Sequence, residues 1–97
     1  MASSKDYLQF VLDQLSGMDG IRSRAMMGEY ILYYQGKVFG GIYDNRLLVK
    51  PTASAKRLLP DAPQEIPYPG AKAMLLVEDI ENRSLWERLL PAMFTEL

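Results

Sequence analysis

Leu8, Val11, Leu12 and Leu15 recur at i, i+3, i+4 and i+7, the spacing that lines side chains along one stripe of an α-helix. A helix is predicted from about Ser4 to Ser16. Ser3 followed three residues later by Asp6 resembles a capping box at its start, and Ser16-Gly17 offers a stop through a residue free to take positive φ. Beyond Met18-Asp19-Gly20 the period changes to two. Ile21, Ala25 and Met27 fall on one face of an extended segment, with Arg22, Arg24 and Met26 on the other. Gly28 interrupts, and Tyr30 to Tyr34 is a continuous run of β-formers. Gln35-Gly36 and Asp44-Asn45 are two-residue turn signals around a return strand, Val38 to Tyr43, and a further strand, Arg46 to Lys50, stops at Pro51. Turns this short require an antiparallel meander.

Gly40-Gly41 interrupts the return strand, which predicts a bulge, a bend or a close approach by a neighbouring strand. Thr52 to Leu59 reads as a short helix with Thr52 as its N-cap and Pro60 as a barrier. Pro60, Pro63, Pro67, Pro69 and Gly70 then crowd an ordered connection, with a short edge strand expected near Glu65 to Tyr68. Met74 to Val77 reads as a buried strand. Leu85, Trp86, Leu89, Leu90 and Met93 return to helical spacing, predicting a last helix from Asn82 or Arg83 that kinks or ends at Pro91.

A chain of 97 residues fills one core, and 48% apolar residues suffice for it. Eleven basic residues against twelve acidic give a net charge of −1 with no run of either sign. Phosphate backbones are bound by cationic surfaces, so nucleic acid is not expected as a direct partner. Neither Cys nor His occurs, which removes disulfides, thiolate nucleophiles, the commonest zinc ligands and the triads that need an imidazole. No catalytic residue, metal site or cofactor is expected. The start Met1-Ala2-Ser3-Ser4-Lys5-Asp6 lacks the pattern of a signal peptide, and no window has the length and apolarity of a membrane span, so no membrane is involved and the cytoplasm is the default location.

Two clusters offer a surface for recognition. Arg22 and Arg24, two apart on a strand, point the same way close to Glu29 and Gly28, and their planar forks suit a carboxylate or phosphate. The bland alternative pairs them with helix carboxylates such as Asp13 or Glu87. Tyr30, Tyr33, Tyr34, Phe39 and Tyr43 give the hairpin an aromatic face on each side, and where helices cover only one side some rings must meet water or a partner. The methionines, Met26 and Met27 included, are expected to fill irregular core space.

The segment Ser23-Arg24-Ala25-Met26-Met27-Gly28, then Leu32-Tyr33, Gly36-Lys37, Phe39-Gly40 and Asp44-Asn45-Arg46-Leu47-Leu48-Val49-Lys50, resembles the signature of the N-terminal domain of the TfoX competence regulators. Tyr68-Pro69-Gly70 and the Trp86-bearing last helix match it as well. Met27 and Glu29 stand where the family often has an aromatic residue and a second glycine, and Ile31 where it often has glycine. The resemblance implies an α+β fold of two layers, one antiparallel sheet with helices packed on it in the order α-β(3-4)-α-β(2)-α, similar to secretion-chaperone-like proteins. Complete regulators of the family act in transcription regulation and competence and carry a further helical C-terminal domain. A chain stopping at Leu97 has no room for one, so residues 1–97 are expected to form a single stand-alone domain. The expected function is a non-enzymatic regulatory module that binds a protein partner and forms a homodimer, using Arg22, Arg24, Glu29, Tyr30, Tyr33, Tyr34 and Tyr43. The alternatives are a small-ligand pocket or enzyme site near Gly28, and direct DNA binding.

Overall fold

Nine elements follow one another along residues 3–97, which the computed structural model of the chain describes; the first two residues of the polar start, Met1 and Ala2, lie outside that range. They are α1 (Lys5–Gln14), β1 (Ile21–Met26), β2 (Glu29–Tyr34), β3 (Lys37–Tyr43), β4 (Arg46–Val49), α2 (Ala53–Leu58), β5 (Gln64–Glu65), β6 (Met74–Leu76) and α3 (Arg83–Phe94). The strands form one sheet in the order β1-β2-β3-β4-β6-β5, antiparallel throughout. The α+β class expected from the sequence is therefore the class observed.

Three two-residue turns drive the meander. Gln35-Gly36 and Asp44-Asn45 both have positive φ, the backbone that matches the right-handed twist of the flanking strands. Met27-Gly28 takes the same form, with φ of 53° and 84°, so the extended lead-in before Gly28 is a full strand of the sheet. Cross-strand partners share a face, which sorts the side chains. Leu32 and Tyr34 of β2, Ile42 of β3, and Leu47 and Val49 of β4 fall on one face and join Val11, Leu15, Ala55, Trp86, Leu89, Leu90 and Met93 of the helices in a single core. All three helices contribute to that cluster. The opposite face carries no helix.

Between β2 and β3 the pairing steps from Leu32–Gly40 to Tyr33–Val38 and leaves Phe39 as the extra residue of a bulge. Of the bulge, bend and close approach expected at Gly40-Gly41, the bulge and the close approach are present. The bulge turns Phe39 into the core, where it is fully buried, and a Cβ on Gly40 would run into the Leu48 carbonyl and the Val49 backbone.

Several boundaries move, each for a local reason. The N-cap of α1 is Ser4, whose hydroxyl accepts from the Tyr7 amide, because Ser3 is engaged elsewhere. Gly17 keeps an ordinary φ, and Gly20 supplies the positive φ, 83°, before β1. The edge strand β5 is only two residues long, since Pro63 and Pro67 on either side have no amide to donate to a ladder. Helix α3 runs through Pro91 to Phe94. Pro91 is exposed, so the carbonyl one turn earlier can turn to water while Leu89, Leu90 and Met93 stay packed. No helix of the described residues is long and apolar enough to cross a membrane.

The end of the chain is tied down by a carboxylate. Glu96 accepts from the Ser54 amide (3.0 Å) and hydroxyl (2.7 Å) in the first turn of α2, and these bonds hold its pKa below the ordinary 4.5. A group whose folded pKa is lowered stabilises above its unfolded pKa and ceases to do so as it protonates in the folded state. Glu96→Gln should therefore lower the urea midpoint at pH 7, and the gap between variant and wild type should close as pH falls below 4.5. Gly40→Ala should lower the unfolding free energy by about 1–3 kcal/mol. Gly17→Ala, where a Cβ meets open space, should leave it nearly unchanged. Urea denaturation distinguishes all three.

Candidate functional site

Register places the residues of the uncovered face. Arg22 lies opposite Tyr33, Arg24 opposite Ile31, and Met26 opposite Glu29, so the arginine row and the odd-numbered positions of β2 share the open side. Gly41, Tyr43, Leu48 and Arg46 continue that side across β3 and β4. Tyr43 folds its ring over Gly41, close enough that a Cβ there would come within 2.7 Å of it. The connection from β5 to β6 returns across the β3–β4 part of this face. Pro67 is buried, and the Tyr68 ring lies 6.0 Å from that of Tyr43, tilted by 53°. What stays open is the part belonging to β1 and β2.

Beside that closure is a groove of about 700 Å³ lined by Met26, Met27, Glu29, Ile31, Tyr43, Pro67 and Tyr68. Its rim is apolar and wet: Met26 is 48%, Tyr68 57% and Met27 98% exposed. Met27 sits at the left-handed position of the turn, where a side chain is carried away from both strands. The expectation that Met26 and Met27 fill core space is corrected by these exposures. Alternation along β1 already set Met26 beside Arg22 and Arg24, which is the signal that was available; nothing in the sequence marks Met27 as a turn residue.

The seven residues singled out for recognition divide. Arg22, Arg24, Tyr33 and Tyr43 share the open face with Glu29. Tyr30 and Tyr34 point the other way, a correction to their place in the candidate surface: Tyr34 is buried in the core and packs edge-on against Phe94 at 5.8 Å, and Tyr30 packs against the same cluster. A period of two makes the split unavoidable. Arg22 and Arg24 are exposed and pair with neither Asp13 nor Glu87; among the described residues the one ion pair joins Arg46 to Glu65. Asp13 instead accepts, through Oδ1, from the Gln9 side-chain Nε2 at 2.9 Å.

Glu29 has a different task from the arginines. One carboxylate oxygen accepts from the Ser3 amide (2.8 Å) and hydroxyl (2.6 Å), the other from the Asp44 amide (2.9 Å). Ser3 in turn accepts from the Asn45 amide, and its own amide also reaches the Gly28 carbonyl. Asn45 accepts from the Ser4 amide at 2.9 Å. One carboxylate thus ties the segment before α1 to two hairpin turns. The nearest phenol, Tyr43, has its pKa raised by burial, then by Tyr68 and Glu29, which keeps it protonated and a poor base. No group of three or more His, Cys, Asp or Glu among the described residues is placed to hold a metal ion. The open face carries apolar area, tyrosine hydroxyls and the exposed guanidiniums of Arg22 and Arg24. Replacing Glu29 by alanine should lower the unfolding free energy by about 1–3 kcal/mol and speed amide exchange at Ser3, Asp44 and Asn45, with both readable by hydrogen exchange followed by NMR.

Residues 13–86 match the family model of the TfoX N-terminal domain. The chain is also 39% identical over 80 residues to an uncharacterized 12.7 kDa protein in the trpE 5′ region of Spirochaeta aurantia, covering 82% of this chain and 70% of that one. No solved structure matches. The matched stretch runs from within α1 to the first turn of α3 and takes in the whole sheet, both turns that Glu29 joins and the arginine strand; the chain belongs to the TfoX N-terminal domain family.

Proposed function

We propose that this domain is a non-catalytic regulatory module acting in the cytoplasm, and that it works by binding another protein on the open face of its sheet. The observation that carries this is the adjacency of an exposed apolar groove, Met26, Met27, Ile31 and Tyr68, to two guanidiniums, Arg22 and Arg24, that have no ion-pair partner among the described residues. Apolar and aromatic area supplies affinity at an interface, and arginine supplies specificity for carboxylates. The fitting partner is a protein segment carrying both apolar and acidic side chains. Direct DNA binding fits less well, since two arginines on a chain of net charge −1 are a small cationic footprint. The pocket near Gly28 exists as a groove, but its one carboxylate already accepts three hydrogen bonds inside the chain, and this favours a binding surface over a reaction centre.

A random peptide library displayed against the wild-type domain should enrich sequences that mix aliphatic and acidic residues. Met27→Asp and Tyr68→Asp should each weaken the selected peptides by roughly tenfold or more, while Glu87→Ala on the exposed side of α3 should leave them unchanged. Equal binding by all three variants would contradict the proposal.

A further inference from the structure

The two edges of the sheet are built differently. At one end β5 is two residues long, with Pro63 and Pro67 on either side; short length and proline are the means by which proteins keep an edge from pairing. At the other end β1 runs six residues, Ile21–Met26, and pairs with β2 in unbroken register from Ile21–Tyr34 to Met26–Glu29. It contains no proline and no bulge, its five residues from Arg22 to Met26 are all exposed, and no other strand lies beyond it. Alternate amides and carbonyls of such a strand point away from its single neighbour, and they form a template for one more strand.

Building on the assignment of the open face as a binding surface, we propose that β1 is a strand-addition site. An extended acidic segment of a partner protein pairs with its free edge and sets alternate carboxylates opposite Arg22 and Arg24. Charge selects this occupant over a second copy of the chain. Two β1 strands joined antiparallel with their helices on the same side place even-numbered residues opposite even-numbered residues, so the arginines of one copy face those of the other. A register shifted by one puts the helices of the two copies on opposite sides of the joined sheet and leaves the arginines of one copy opposite Ser23 and Ala25 of the other, with no carboxylate to meet them. An acidic strand meets neither obstacle. Its carboxylates gain two guanidiniums that have no ion-pair partner among the described residues.

The test uses a blocked decapeptide of alternating valine and glutamate, the same peptide with lysine in place of glutamate, and a glutamate peptide N-methylated at alternate residues. Each is titrated into the labelled domain, with chemical shifts and amide exchange followed by NMR. The glutamate peptide should shift the Ile21–Met26 amides and slow exchange at alternate ones, and the lysine peptide should not. One of the two N-methylation phases should abolish binding, since it removes the amides that face β1. The R22E/R24E variant, checked for an unchanged melting temperature, should bind the glutamate peptide at least roughly tenfold more weakly and gain affinity for the lysine peptide. No response to the glutamate peptide up to about 1 mM, or binding that survives both N-methylation phases, overturns strand addition. Concentration-dependent shifts of β1 without any peptide would overturn it in favour of a second copy. If strand addition fails while display-selected peptides still respond to Met27→Asp and Tyr68→Asp, the open face remains a side-chain binding surface. If neither responds, both assignments fall together.

Discussion

The pairing of β1 with β2 decides which side chains of the first hairpin reach the core and which meet water. With Ile21 opposite Tyr34 and Met26 opposite Glu29, Leu32 and Tyr34 go under the helices and Arg22 and Arg24 face solvent. A slip of one residue would turn Arg22 and Arg24 to the helix side and bring Ser23 and Ala25 to the open side. Three two-residue turns set the register locally, and the Glu29 carboxylate sets it from a distance by joining Ser3 to the Asp44-Asn45 turn. The same carboxylate also lines the groove of the open face.

One-sided burial explains why this fold has a surface to spare. The helices all pack on the face that carries Leu32, Ile42, Leu47 and Val49, and among the described residues no helix lies on the other. The proline-rich connection does part of that work, with Pro67 buried and Tyr68 against Tyr43. Tyr43 in turn covers Gly41, whose missing side chain lets the ring lie flat on the strand. Half of the open face is closed in this way. The other half keeps Met26 and Met27 in water beside the exposed Arg22 and Arg24.

Much of this was legible in the sequence, and the rest was hidden for identifiable reasons. Helical spacing in Leu8 to Leu15 and Leu85 to Met93 located α1 and α3, and Gln35-Gly36 and Asp44-Asn45 announced their turns, because those signals are local. Met27-Gly28 was half legible: glycine marks a turn, but methionine at positive φ has no propensity to betray it. The capping role given to Ser3 belongs to Ser4, since only the three-dimensional proximity of Glu29 and Asn45 claims Ser3. Pro91 read as a break because the sequence cannot show that its face of the helix is exposed. The seven candidate site residues were drawn from both sides of a strand, and alternation alone was enough to separate Tyr30 and Tyr34 from Tyr33. Tyr68 and Met27 were not among the candidate site residues, because the groove forms only when the proline-rich connection folds back over β3.

The central claim is that one face of this sheet is for the core and the other for a partner protein, and photo-crosslinking in the native host tests it most directly. A benzophenone amino acid placed at Tyr33 on the open face, or at Glu87 on the exposed side of α3, reports which surface touches another protein in the cell. The account predicts specific adducts from position 33 and none from position 87. Adducts from position 87 alone, or none from position 33, would contradict it.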